Sequence, residues 1–136
     1  MMVYEESRNS SASCSWWQQS EWQPIMTEIV DIHVTCSTLE EARQLSHRLL
    51  DAKLAACCQI GKDIDSRYWY GGKQHRGDES PLVIKTRGDF FDRVAAMIRE
   101  SHSYETPAII GFKPDYVDEA TKAWIAETCT GEADGD

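Results

Sequence analysis

The residues of this chain best suited to chemistry are a thiol, an imidazole and a carboxylate: Cys36, His102 and Glu105. Cys36 ends an alternating apolar stretch and directly precedes a helix start, where free N–H groups and the macrodipole favour a thiolate. A thiolate is a soft ligand suited to Cu(I), and the imidazole of His102 pairs with it naturally. Glu105 stands close by in sequence as an orienting carboxylate or a harder third ligand. Bland readings compete: Cys36 as a small buried hydrophobe, and His102 as a favourable charge near a helix C-terminus. Cys36, His102 and Glu105 are therefore candidate metal ligands, with copper or another divalent cation as the candidate ion.

Other chemically able residues carry weaker signals. Cys57 and Cys58 are adjacent, but on a strand neighbouring side chains point to opposite faces, so the two sulfurs cannot converge on one ion. The expectation is that Cys57 lies in the core and Cys58 on the other side. Lys73, Lys85 and Arg87 could hold an anion, yet no Gly-rich loop precedes a helix, and a solvated face or ion pairs explain them more simply. No third orienting group or oxyanion device accompanies Cys36 and His102, so no catalytic residue is assigned and the chain is not expected to be an enzyme.

Composition narrows the partners. A net charge of -9 and a pI near 4.8 repel a phosphate backbone, which argues against nucleic acid. No apolar run approaches the ~18 residues of a membrane span, so no membrane association is expected. The five cysteines are odd in number and form no C-x-x-C pair. Together with residues 1–23, which lack a basic and an apolar leader region, they point to a reducing, cytoplasmic location.

The elements that must position Cys36 and His102 follow in order. Residues 1–26 form a Ser/Gln-rich, tryptophan-bearing extension without a period, expected to be disordered or outside the core, and Met26 is an alternative start. The domain is expected over 27–129. Residues 28–36 alternate as a strand with Val30, Ile32, Val34 and Cys36 on one face. Ser37 is the expected N-cap of a helix running to about Lys53, with Glu40 three residues on and a stripe of Ala42, Leu45, Leu49 and Ala52. Residues 54–60 and 64–70 read as strands, Gly71-Gly72 as a tight hairpin turn, and 82–86 as the returning strand after a projecting polar stretch. Pro81 belongs at a strand start or edge. Asp89 is expected to cap a second helix with Phe90, Val94, Met97 and Ile98 buried. The loop at 101–107 follows, then a strand at 108–112 and a closing helix burying Val117, Ala120 and Trp124. An acidic, flexible tail is expected over 130–136.

This order predicts an α+β fold: a ferredoxin-like split β-α-β sandwich, an antiparallel sheet with helices on one face. The second sheet face would carry Trp69 with Tyr68 or Tyr70 in the open, which predicts self-association.

The segments VTC, LAACCQI, YWYGGK, LVIKT, HSYETPAII and AWI, at this spacing over about residues 27–128, resemble the CutA family, the divalent cation tolerance proteins. The resemblance implies a ferredoxin-like subunit in a PII-like homotrimer whose strands complete sheets between subunits. It also implies a link to copper and other divalent cations in tolerance and response to metal ions, with no established reaction. An alternative it leaves open is a PII-like signalling or scaffold trimer that takes a small anionic ligand or a protein partner in its intersubunit clefts. Two departures stand out. Tyr70-Gly71-Gly72-Lys73 lacks the acid of the usual Trp-Glu-Gly-Lys, and Ser101-His102 stands where some relatives carry paired histidines.

Overall fold

The computed structural model describes residues 28–133; the extension expected over 1–26 and positions 134–136 of the tail lie outside the described residues. The first strand, β1 (Ile29–Cys36), shows the expected alternation, with Val30, Ile32, Val34 and Cys36 buried. Helix α1 (Leu39–Asp51) follows, but its N-cap is Thr38, whose Oγ1 accepts the Glu41 N–H at 3.0 Å. The expected Ser37 cap is thus displaced by one residue, because the Ser37 N–H and hydroxyl are both taken by the Glu41 carboxylate. The helix closes with Lys53 at φ 59, and the Lys53 and Leu54 N–H groups donate back to the Leu50 and Leu49 carbonyls, each at 3.0 Å. That is the Schellman pattern, here with lysine in the left-handed position.

Strands β2 (Cys57–Ile60), β3 (Ile64–Tyr70) and β4 (Lys73–Arg87) follow. Gly71 and Gly72, at φ 63 and 77, make the β3–β4 turn that positive angles require. The polar stretch after the turn is itself strand: it pairs with β3 from Tyr70↔Lys73 to Ile64↔Glu79. Consequently β4 is 15 residues long, and its two halves have different partners on one side, β3 first and then β2. The register shifts by one residue between Ile64↔Glu79 and Ile60↔Leu82, with Asp63 at φ 49 in the intervening bend. Pro81 lies at this joint, inside β4 rather than at its start, where the ladder on one side is interrupted and a missing N–H is tolerated. Gly61 completes the joint by donating its N–H to the Pro81 carbonyl at 2.9 Å; a Cβ on it would stand 2.8 Å from the proline ring.

A 3-10 turn (Gly88–Phe90) leads into α2 (Phe91–Ser101). Asp89 does not cap it, since both carboxylate oxygens are held by Arg87, at 3.0 and 2.6 Å. The final strand β5 (Ile110–Phe112) is shorter than expected, and α3 (Glu119–Thr128) is capped by Asp118. Its buried residue is Ile125, while Ala120 and Trp124 are exposed. Gly131, in the tail, donates to the Lys53 carbonyl at 3.0 Å and accepts from Arg93 at 2.8 Å.

The sheet order is β2–β4–β1–β5, with β3 also on β4 and every pair antiparallel. β1 and β2 are therefore parallel to each other, as are β4 and β5, and each parallel pair needs a crossover, which α1 and α2 supply. With β2 and β3 counted as two halves of one strand, this is the ferredoxin-like fold. Ile32, Val34, Leu82 and Ile84 from the sheet join Leu45 and Leu49 of α1 and Val94 and Ile98 of α2 in one buried cluster, so both helices cover the same face. The hairpin leaves Trp69 69% exposed, with Tyr68 and Tyr70 beside it.

The register also decides the cysteine pair, opposite to expectation. Cys58 lies across from Ile84 and packs against the core, whereas Cys57 lies across from Lys85 on the other face. Burial pushes the Cys58 thiol up to about 11.

Candidate metal centre

Three elements converge on Cys36. β1 presents it at its last residue, fully buried. The first turn of α1 presents Glu41, and the loop after α2 presents His102, whose backbone N–H still donates to the Ile98 carbonyl at 2.9 Å. The Cys36 sulfur, a Glu41 carboxylate oxygen and a His102 ring nitrogen all lie within 4.8 Å of one another. Among the described residues this is the one such cluster of three potential ligands.

Of the residues singled out from sequence, Cys36 and His102 are brought together and Glu105 is not: it is exposed, and the cluster's carboxylate belongs to Glu41. Sequence offered a signal for Glu41. In S-T-L-E-E the second glutamate stands three residues after Thr38, and a cap at Thr38 makes it the residue that folds back.

The Glu41 carboxylate is held from both sides. It accepts the Ser37 N–H at 2.8 Å and hydroxyl at 2.9 Å, and the Ser103 N–H at 2.6 Å and hydroxyl at 3.2 Å. Burial opposes its charge, but these four hydrogen bonds prevail and keep the carboxyl below its usual range. Cys36 shows the reverse. Burial first, then the Glu41 and Glu79 carboxylates, push its thiol up to about 12, so it rests as the thiol and the expected thiolate is overturned. One first-turn N–H, that of Glu41, is engaged by Thr38, and an anionic carboxylate stands beside the sulfur.

His102 is fixed by its hydrogen bonds, and its side chain is 0% exposed. The Tyr104 N–H donates to Nδ1 at 3.0 Å, so Nδ1 is the acceptor and the ring proton sits on Nε2, which donates to the Thr35 carbonyl at 2.8 Å. Nδ1 is also the nitrogen facing the cluster, 3.9 Å from Glu41 Oε2. A histidine whose far N–H is anchored on a backbone carbonyl is the usual arrangement behind a metal-ligating nitrogen. The Tyr104 hydroxyl in turn donates to Glu79 at 2.6 Å. Burial of the phenol, followed by this bond to Glu79, raises the Tyr104 pKa above its ordinary value. Glu79 is itself buried, which disfavours its charge, but hydrogen bonds from Ser66, Tyr104 and Thr35 keep its carboxyl below the usual range.

The donor set is one sulfur, one nitrogen and one oxygen, which suits borderline ions such as Cu(II) and Zn(II) better than hard Mg(II) or Ca(II). Bonds of about 2.0–2.3 Å place tetrahedral sulfur and nitrogen ligands ~3.5 Å apart. The widest pair of the cluster must therefore draw in by about 1 Å on loading, within reach of side-chain and loop adjustment. The residues fit such an ion.

Two of the three cations weighed for an anion site, Lys85 and Arg87, are engaged within the chain. Lys85 pairs with Asp31 at 3.3 Å, and Arg87 binds Asp89 and the Cys129 carbonyl, the latter at 3.1 Å.

Comparison with known proteins bears on this geometry. Residues 30–128 match the family described as CutA1 divalent ion tolerance protein. The divalent-cation tolerance protein CutA of Archaeoglobus fulgidus is 37% identical over 97 residues, which span 71% of this chain and 94% of that one. A chloroplastic CutA 1 protein of Oryza sativa is 33% identical over 104 residues, 76% of this chain but only 56% of the plant chain. Among solved structures, the divalent ion tolerance protein CutA1 from Ehrlichia chaffeensis superposes with a TM-score of 0.73 at 30% identity, covering 77% of this chain and 98% of that one. The periplasmic CutA structure from Archaeoglobus fulgidus gives 0.72 at 36% identity, covering 74% and 98%.

Proposed function

The chain belongs to the CutA1 divalent ion tolerance family, and from that premise we propose that it binds copper or another divalent cation at Cys36, Glu41 and His102 and serves tolerance to such ions. The observation that carries this reading is the approach of a thiol, a carboxylate and an imidazole to within 4.8 Å on three separate elements. Two of the three ligands already have orienting partners: Thr35 behind His102, and Ser37 and Ser103 around Glu41. No catalytic step is proposed, because a thiol raised to about 12 is a poor nucleophile.

Cobalt(II) is the probe of choice, since thiolate ligation gives it an intense charge-transfer band that carboxylate or histidine ligation alone does not. We expect the band in the wild-type protein and its loss in Cys36→Ser. Copper affinity in Cys36→Ser should fall by more than about 100-fold, because loss of an outer-sphere partner alone costs ~10–100-fold. Unchanged copper binding in Cys36→Ser would remove the site.

The proposed assembly is a homotrimer. Its support is the exposed apolar surface of Tyr68, Trp69 and Tyr70 on the hairpin and of Ile110 and Phe112 on the edge strand β5. Such surface and an open edge ask for a partner. Light scattering at micromolar concentration is expected to return three times the 15.5 kDa chain mass; a monomer there contradicts it.

A further inference from the structure

Cys36 and the His102 side chain have no exposed surface, so in this conformation an ion cannot reach the sulfur or the imidazole nitrogen. What shields them is specific. The backbone of Ser103 and Tyr104 passes over the carboxylate and the imidazole, with one N–H bonded to Glu41 Oε2 and the next to His102 Nδ1. The Tyr104 ring lies 4.7 Å from the His102 ring, and its hydroxyl is tied to Glu79 on β4. The lone pair of Nδ1 is therefore already in use. An ion that takes this nitrogen must displace the Tyr104 N–H, and the phenol held on Glu79 tethers Tyr104 against that movement.

We propose that Tyr104 is a latch on the metal centre: the Tyr104–Glu79 bond holds the 103–104 backbone closed over His102, and ion loading requires that segment to open. This rests on the metal-binding reading above and adds to it the element that regulates access. The closed form competes with the ion for the same lone pair, so the apparent affinity is the intrinsic affinity reduced by the fraction of open molecules. Glu79 lies on the half of β4 that pairs with β3. Opening is thereby felt in the stem of the hairpin, which gives ion loading a route to the surface formed by Tyr68 and Trp69.

The latch makes an inverse prediction: removing a hydrogen bond tightens binding. In Tyr104→Phe the ring remains and only the bond to Glu79 is lost. Loss of a hydrogen bond to a charged group should raise the open fraction, and with it the cobalt(II) affinity, by roughly tenfold, with faster loading. Glu79→Gln, which keeps an acceptor but loses its charge, should shift affinity the same way by less. Tyr116→Phe, at a residue 92% exposed, is the control and should change nothing. In the wild-type protein, loading with cobalt(II) or zinc(II) should remove the hydrogen-exchange protection of the Tyr104 amide. A merely structural Tyr104 would leave that protection in place and would weaken binding when truncated. Absence of any ion bound at Cys36 overturns the metal reading and the latch with it. Binding that is unchanged or weaker in Tyr104→Phe, or a Tyr104 amide still protected in the loaded protein, overturns the latch alone.

Discussion

Replacing Glu41 with alanine is expected to destabilise the fold by about 2–3 kcal/mol, more than a helix-surface glutamate normally contributes. The carboxylate is 15% exposed and joins two segments far apart in sequence, the β1–α1 turn at Ser37 and the loop at Ser103. Removing it leaves the partly buried Ser37 N–H without its acceptor and unties the loop that covers His102. Urea denaturation measures this directly. Glu41→Gln separates shape from charge, because one amide oxygen still accepts while the charge is gone, so its loss should be smaller. The pH dependence has a definite sign. The folded-state pKa of Glu41 is lowered, so its contribution is complete above the ordinary carboxylate range and is lost as pH falls through the depressed folded value. The stability gap between wild type and Glu41→Gln should accordingly be widest near neutrality and close in acid. A gap that does not change with pH would show that the carboxylate charge has no part in holding the loop.

Glu41 also shows where sequence reasoning stopped short. Cys36 and His102 were legible because each type is uncommon and each stands at an element boundary, where side chains turn toward loops. Glu41 sits among Glu40, Glu41 and Arg43, a run that looks like a solvated helix face. Its role depends on Ser103, a partner 62 residues away that no local period reports. The protonation of Cys36 was misjudged for a related reason. A helix N-terminus favours an anion, but the anion it received is the carboxylate, and burial first, then repulsion from Glu41 and Glu79, keeps the thiol protonated. Within the fold, β1 and the Gly71-Gly72 turn were readable from alternation and from the need for positive φ. The faces of Cys57 and Cys58 were not, since a four-residue strand contains both parities equally, and only the register against Leu82 and Ile84 decides between them.

The closing helix carries the second large effect, because there the buried face differs by one position from the expected one. Val117, Ala120 and Trp124 satisfy helical spacing, and the large tryptophan invites assignment to the core. In the structure Ile125 is 1% exposed and packs in the main cluster with Cys129, whereas Trp124 is 44% exposed. Asp118 as the N-cap fixes the helix phase, and Thr121, Ile125 and Thr128 then form the inner stripe, at spacings of four and three, while Val117 packs on the core just before the cap, as expected. Ile125→Ala is therefore expected to cost about 2–5 kcal/mol, the sum of lost transfer free energy and the cavity left beside Cys129. Trp124→Ala removes a larger side chain, yet should cost the subunit under ~1 kcal/mol, because much of that surface is already in water. The contrast is the test, since bulk alone would rank the two variants the other way. Thermal unfolding of both, at equal protein concentration and over a concentration series, distinguishes subunit stability from assembly. A loss in Trp124→Ala that grows on dilution would mean that the tryptophan is covered by a neighbouring copy. A loss as large as that of Ile125→Ala at every concentration would contradict the helix phase described here.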